Sequence, residues 1–273
     1  MLLSRKFLRK IKEFQICFQP TPGYLYKYFP LREANKQDWL NIKTVLEESK
    51  LHFSRLKDFN DPFDCFPIYI TPDKDLPSWI KRLRREGRYP AKEIDEAERS
   101  WRKKDEKCSK IRESFGDGVQ KNINEEIGIC CFSKKPDDLL MWAHYASYHK
   151  GVCFEFEAVL NTPFFGEAQG ISYKSNRPTV NIFTIDSHNA TDHIFLTKSD
   201  HWKYESEYRI MDPNKPPGFH QFPIEHLKGI ILGSRIDSNY EIQIRKILEK
   251  NSRVKLKRAE LDQKQYKINI ITI

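Results

Sequence analysis

Apolar residues recur along this chain at two spacings, and each spacing predicts a different element. Apolar side chains return every three or four positions in the segments 1–18, 38–49, 137–146 and 240–251, which predicts amphipathic helices. Short runs rich in aromatic and β-branched residues predict strands instead. These strand candidates are 24–29, 51–54, 127–133, 151–156, 171–173, 204–211, 229–233 and 268–273.

The order of these elements predicts the fold class. Short strands outnumber helices and do not alternate strictly with them, as they would in a doubly wound sheet. We therefore expect a single α+β domain over residues 23–273, with a small mixed or antiparallel sheet at its core and flanking helices. We predict that residues 1–22 form a basic amphipathic helix, and we expect this helix to pack against the domain rather than on a membrane.

The composition changes abruptly between about residues 72 and 126. Apolar positions are sparse in this strongly charged stretch, and Gly87 and Pro90 interrupt it. The pattern predicts two or three surface helices that form a charged helical insertion in the domain. The alternative is a solvated helical face with no role of its own.

The overall composition is that of a folded, basic protein. Of its 273 residues, 39% are hydrophobic and 13% aromatic, which argues against disorder throughout. The net charge of +9 favours anionic partners such as nucleotides, nucleic acid or an acidic protein surface. Six scattered cysteines without a C-x-x-C pair argue against a zinc site or a disulfide framework. Since no long apolar run occurs, we expect no transmembrane segment and a cytoplasmic location.

Glu205 and Glu207 are the strongest candidates for chemistry. They are two residues apart in the predicted strand 204–211, and side chains at this spacing project from the same face of a strand. Two like charges on one surface repel each other unless a cation or a substrate lies between them. The alternative is that both lie on the solvated face of an edge strand, paired with Lys203 or Arg209.

Two further segments carry polar residues that chemistry could use. Asn60 lies in a run of turn formers at 58–64, whose composition is explained by turn structure alone. His144 and Tyr145 lie in a short predicted helix, where a lone histidine is more often a packing residue than a base or a ligand. His144 and His149 are not four residues apart, so they are poorly spaced for a helical metal pair, and no metal site is expected.

Six short motifs occur in the order that is found in a known family. In this order they resemble a widespread bacterial family known as domain of unknown function 2971. The likeness runs from about Tyr24 to the strand candidate 229–233 and leaves out the charged insertion. The motifs are Leu25-Tyr26-Lys27-Tyr28, Phe53-Ser54 with Phe59-Asn60-Asp61-Pro62-Phe63-Asp64, Cys131-Phe132-Ser133, Met141-Trp142-Ala143-His144-Tyr145, Lys150-Gly151-Val152 and Trp202-x-x-Glu205-x-Glu207-Tyr208-Arg209.

More remotely, the same pattern is similar to mono-ADP-ribosyltransferases, which cleave NAD and transfer ADP-ribose. This resemblance implies that Glu207 is the catalytic carboxylate that stabilises the developing oxocarbenium ion, and that Glu205 helps to activate the acceptor. Tyr26 or Tyr28 would take the role of the first strand and Ser54 that of the second. The chain departs from the pattern because it has no Arg in the first strand and no Ser-Thr-Ser in the second.

The resemblance also implies the ligand and the residues that bind it. NAD would be the substrate, or another nucleotide in its place, and a protein or a nucleic acid would be the acceptor. A bacterial toxin or a phage-defence effector is the expected biological role. Arg209, Lys27 or Arg55 would pair with the pyrophosphate. The residues expected to bind NAD are Tyr26, Tyr28, Ser54, Asn60, His144, Tyr145 and Arg209.

Two other hypotheses follow from the residues themselves. The net charge, together with Asp61, Asp64 and the pair Glu205 and Glu207, is compatible with a nucleic-acid-binding protein or a metal-dependent nuclease. The third hypothesis is a non-catalytic interaction module that uses the insertion at 72–126 as its partner surface.

Overall fold

The computed structural model describes residues 23–87, 89–104, 117, 120–121, 123–159, 162–184, 187–211, 216–250 and 253–273. The amphipathic helix predicted at 1–22 lies outside these residues. The strands are β1 (Gly23–Phe29), β2 (Lys50–Phe53), β3 (Ile68–Ile70), β4 (Ile129–Ser133), β5 (Val152–Ala158), β6 (Gln169–Gly170), β7 (Ser172–Lys174), β8 (Thr179–Asn181), β9 (Thr197–Ser199), β10 (Glu207–Met211), β11 (Gly218–Gln221), β12 (Leu227–Leu232), β13 (Lys255–Leu261) and β14 (Ile268–Thr272). The helices are α1 (Lys36–Glu48), α2 (Leu76–Glu86), α3 (Ala91–Lys103), α4 (Leu139–Tyr145), α5 (Ser187–Phe195) and α6 (Ser238–Leu248).

Eight of these strands form one mixed sheet in the order β14-β13-β12-β5-β1-β4-β10-β6. Its neighbouring strands are antiparallel except β12 and β13, which are parallel. Three smaller sheets in the described residues pair β11 with β2, β3 with β8, and β7 with β9. The predicted α+β fold with a mixed sheet is therefore confirmed.

One face of the main sheet packs against α1 and α6. Leu25, Phe154 and Ile230 from three neighbouring strands are fully buried on this face. Ile42 of α1 and Ile244 of α6 belong to the same hydrophobic cluster. Burial of such side chains is the main favourable contribution to the stability of the fold.

The opposite face packs against α4. Consecutive residues of a strand point to opposite faces, so Tyr28, Cys153 and Ile231 lie on this side of the same three strands. Trp142 of α4 covers them, and its ring meets that of Tyr28 edge to face at 5.2 Å between centroids. The position of α4 is therefore fixed by packing on the sheet.

A tight left-handed turn follows α4. The side chain of Asp138 caps the beginning of the helix by accepting hydrogen bonds from two backbone N–H groups of its first turn. After the helix, residues 147–149 have φ values of 47, 57 and 69°. Gly151 then passes so close to β1 that an added Cβ would lie 2.1 Å from the carbonyl oxygen of Phe29. The Lys-Gly-Val motif at 150–152 is thus explained by a close approach of two backbones.

The charged stretch after β3 contains α2 and α3, which have a small core of their own. Leu83, Ile94 and Trp101 are buried there together with Trp79. Phe183 joins this core, with its ring 4.8 Å from that of Trp79 between centroids. In the described ranges no helix is long and apolar enough to cross a membrane.

Candidate functional site

The segment that carries Glu205 and Glu207 is not a continuous strand. A 3₁₀ helix spans Asp200–Glu205, Ser206 has a φ of 44°, and β10 begins at Glu207. The predicted strand is therefore wrong for residues 204–206, and the two carboxylates do not share a surface through strand alternation. They approach each other because the left-handed residue between them turns the chain.

Ser133 at the end of β4 holds this turn in place. Its Oγ donates a 2.6 Å hydrogen bond to the carbonyl oxygen of Glu205 and accepts one of 3.0 Å from the backbone N–H of Lys135. The strand registers also place Tyr26 of β1 opposite Ser133, and Ser133 opposite Glu207. Paired residues of neighbouring strands project from the same face, so these three side chains form a row across the sheet.

A buried ion cluster lies around the two carboxylates. Lys198 of β9 donates hydrogen bonds to Oε2 of Glu205 at 2.5 Å and to Oε2 of Glu207 at 3.0 Å. Arg209 donates from Nε to Oε1 of Glu207 at 2.7 Å and from Nη2 to Oδ2 of Asp64 at 2.6 Å. None of these side chains is more than 4% exposed. Three carboxylates therefore meet two cations in this cluster, which leaves one net negative charge when all are ionised.

The two glutamates have opposite pKa shifts. Burial raises the pKa of Glu207, but Arg209 and Lys198 outweigh it and lower this pKa to about 2. At Glu205, burial outweighs the attraction of Lys198, and the charge of Glu207 acts in the same direction, so its pKa is raised. Neighbouring carboxyls whose environments push their pKa values apart are typical of a pair in which one stays ionised and the other exchanges a proton.

The cluster forms the floor of a cleft of about 300 Å³. Strands β1 and β4, the segment after β2, and α4 supply its walls. Both aromatic and polar side chains line it, as in many small-molecule sites. The lining residues are Tyr26, Lys27, Tyr28, Ser54, Asp58, Phe59, Asn60, Asp64, Cys131, Phe132, Ser133, Met141, Tyr145, Lys198, Glu205 and Glu207.

A chain of hydrogen bonds connects the rim of the cleft to its floor. The exposed side chain of Asn60 donates from Nδ2 to the hydroxyl oxygen of Tyr145 at 2.9 Å. That hydroxyl donates a short hydrogen bond to Oε1 of Glu205. Burial and the neighbouring Glu205 carboxylate raise the pKa of Tyr145, so its hydroxyl remains a donor. Glu205 is thus held by Tyr145 on one oxygen and by Lys198 on the other.

The cleft brings together most of the residues that the sequence predicted. Tyr26, Tyr28, Ser54, Asn60 and Tyr145 line it together with both glutamates. His144 does not, because it lies on the exposed side of α4 with its ring 6.1 Å from that of Tyr204.

Arg209 also lies outside the lining. Its side chain is fully buried beneath the floor, where it binds Asp64 and Glu207. The predicted pairing of Arg209 with a pyrophosphate is therefore contradicted, since a bound ligand has no access to the guanidinium.

Lys198 is the residue of the site that the sequence did not predict. The repulsion expected between Glu205 and Glu207 called for a cation, but nothing in the spacing pointed to a lysine seven residues before the first of them. Asp64 was a candidate only as a nuclease ligand. In the described part of the chain, no group of three or more His, Cys, Asp or Glu side chains has the geometry of a metal site.

The comparisons with known proteins bear on the second half of this site. Residues 141–210 match the model of a family described as "Protein of unknown function (DUF2971)". The family resemblance predicted from the motifs is confirmed over this segment, which contains Tyr145, Lys198, Glu205 and Glu207. No curated protein and no solved structure matches the chain.

Proposed function

We propose that this protein is an ADP-ribosyltransferase-like enzyme that uses NAD as a substrate to modify a protein or nucleic-acid target. One observation carries the proposal. Glu205 and Glu207 share the ammonium group of Lys198 on the floor of a cleft, and their pKa values are shifted in opposite directions. This arrangement provides a fixed anion and a group that exchanges protons, and ADP-ribosyl transfer needs both.

The fixed anion suits the first half of the reaction. The bond between ribose C1′ and the nicotinamide nitrogen breaks, nicotinamide leaves with the bonding electron pair, and positive charge develops on the ribose. Glu207 remains ionised because its pKa is about 2. The cluster carries one net negative charge in a buried environment, where a fixed charge stabilises a transition state strongly.

The proton-exchanging group suits the second half. The acceptor attacks C1′, forms the new bond with its own electron pair and loses a proton. Glu205 accepts this proton, because its raised pKa lies closer to working pH than that of an ordinary carboxyl. Tyr145 and Lys198 hold one oxygen each and so fix the orientation of the carboxylate.

The size of the cleft supports binding of one half of NAD. Its volume of about 300 Å³ is at the lower end of the range for small-molecule sites, so we expect it to take the nicotinamide riboside portion, with the remainder of the dinucleotide along the open rim. The ring of Tyr26 is half-buried in the wall and offers a surface for stacking on nicotinamide. Lys27 lines the cleft, so it replaces Arg209 as the cation for the pyrophosphate.

The test is transfer of label from NAD in a cell lysate. Wild-type protein should consume NAD and label an acceptor, whereas Glu207→Gln should lower the rate by about a hundredfold or more, because it removes charge stabilisation from the transition state. Glu205→Gln should lower transfer to the acceptor more than it lowers cleavage of NAD.

The matched control is Glu249→Gln, which makes the same change at an exposed position outside the cleft. It should retain wild-type activity. Thermal unfolding of each variant distinguishes a loss of activity from a loss of folding. If the wild-type protein neither consumes NAD nor transfers label, the proposal is wrong.

A further inference from the structure

A second cavity lies on the other side of the segment that walls the cleft. Within the segment 54–60, Ser54 and Asn60 line the cleft, whereas Arg55 and Lys57 line a separate cavity of about 570 Å³. The aromatic ring of Phe66 forms part of the same cavity. One short segment therefore separates the cleft from a second concave surface.

Two phenylalanine rings are unusually exposed beside this cavity. Phe63 is 60% exposed and Phe66 is 41% exposed. The guanidinium group of Arg177 lies 5.4 Å from the centroid of the first ring and 5.5 Å from that of the second. Its Nη2 donates a 2.7 Å hydrogen bond to the carbonyl oxygen of Phe66, which fixes the guanidinium between the rings. The result is a preformed platform of flat groups.

The charges around this platform are mainly positive. Arg177 at the platform is joined by Arg55, Lys57 and Lys121 in the cavity wall. The cavity also contains the carboxylates of Asp117 and Glu125, so its three cations exceed its anions by one, and Arg177 at the platform raises the excess to two. The surface therefore favours an anionic ligand.

Exposed rings and cations together specify the chemical class of that ligand. Single-stranded nucleic acid carries phosphates that pair with Lys and Arg, and it also carries unpaired bases that stack on aromatic rings. A duplex hides the faces of its bases, and an acidic peptide seldom carries flat groups for stacking. Of these three ligands, only single-stranded nucleic acid combines anionic groups with flat groups that are free to stack.

We propose that this surface, formed by Arg55, Lys57, Phe63, Phe66, Lys121 and Arg177, binds single-stranded nucleic acid. Bases stack on the two phenylalanine rings, and phosphates pair with the cations of the cavity. The assignment is independent of the reaction in the cleft, because it rests on a separate cavity and on residues that take no part in the chemistry there.

The test is fluorescence anisotropy of a labelled single-stranded oligonucleotide with the full chain, measured over a series of salt concentrations without NAD. The strand should bind more tightly than its duplex. Replacing both rings (Phe63→Ala with Phe66→Ala) should weaken binding tenfold or more, since each ring removed takes away the surface on which a base stacks. Replacing two cations (Arg55→Ser with Lys57→Ser) should reduce the slope of log affinity against log salt by about 1.4, at roughly 0.7 per phosphate contact.

The matched control combines Tyr266→Ala with Lys246→Ser, which removes an exposed ring and an exposed cation elsewhere on the molecule. It should bind like the wild-type protein. The proposal is overturned if the duplex binds as tightly as the single strand, if the ring variant binds like the control, or if only an acidic polypeptide such as polyglutamate is bound. Since NAD is absent from the assay, its outcome is separate from that of the proposed reaction.

Discussion

At the scale of single residues, Lys198 determines how the two glutamates coexist. Its ammonium group lies between their carboxylates, in a position that is almost closed to solvent. Burial alone would lower the pKa of Lys198, but the carboxylates of Glu207, Asp64 and Glu205 raise it, so the side chain stays charged. A buried carboxylate pair without this cation would repel itself in a medium of low dielectric constant.

Replacing this lysine tests its role. Lys198→Met should lower the free energy of unfolding by about 3–5 kcal/mol, because it leaves buried carboxylates without their partner. Urea denaturation measures the change. The control is Lys203→Met, which replaces an exposed lysine in the 3₁₀ helix Asp200–Glu205. Adding Glu205→Gln to Lys198→Met should recover part of the loss. Equal stability of Lys198→Met and the control would refute this account.

The sequence allowed only part of this arrangement to be predicted. The closeness of Glu205 and Glu207 followed from their spacing, although the turn at Ser206 brings it about rather than a strand. The contribution of Lys198 could not be predicted, because it depends on β9 lying beside the beginning of β10. Contacts of this kind are set by tertiary packing and leave no periodic signal in the chain.

At the scale of elements, Gly151 controls where α4 lies. An added Cβ would meet the carbonyl oxygen of Phe29 at 2.1 Å and the Cα of Ala146 at 3.0 Å. Gly151→Ala should therefore displace the turn or β1 and cost about 1–3 kcal/mol, as overpacking does. Tyr145 is in the last turn of α4, so activity should fall as well.

Thermal unfolding together with NAD turnover measures both effects. Lys150→Ala is the control, since it changes an exposed neighbour in the same turn. If Gly151→Ala melts at the temperature of this control, the close approach of the two backbones does not limit the fold.

Some elements were predictable and others were not. The strands of the sheet centre, such as β5 and β12, are mostly apolar, with only Glu155, Glu157 and Lys228 charged, and the sequence places them within a few residues. By contrast, β13 consists mostly of charged residues, and only Ala259 in it is buried. It becomes a strand because it pairs with β12 in parallel and with β14 in antiparallel orientation. Pairing, not the pattern of its own side chains, determines its structure.

At the scale of the whole molecule, the ion cluster joins separate parts of the fold. Lys198 comes from the small sheet of β7 and β9, Asp64 from the segment after β2, and Glu207 and Arg209 from the main sheet. Protonation of Glu207 should therefore weaken the entire fold and not one element alone. The pKa of Glu207 is about 2, below its ordinary value of 4.5.

The sign of the pH effect follows from this difference. A carboxyl whose pKa is lower in the folded state stabilises the protein above its unfolded pKa, and this stabilisation is lost as pH falls. We expect the free energy of unfolding to decrease from about pH 4.5 towards pH 2, and to decrease less steeply in Glu207→Gln. Urea unfolding across this range measures both slopes. Parallel slopes for the two proteins would contradict the assignment.

The buried position of Arg209 has a consequence for mutational screens. Its side chain lies beneath the floor of the cleft and holds two carboxylates without facing any ligand. A substitution there would abolish activity in a functional screen, and the residue would be scored as part of the catalytic machinery. Only a parallel measurement of how much folded protein remains in the cell can distinguish a support of the site from a participant in the reaction.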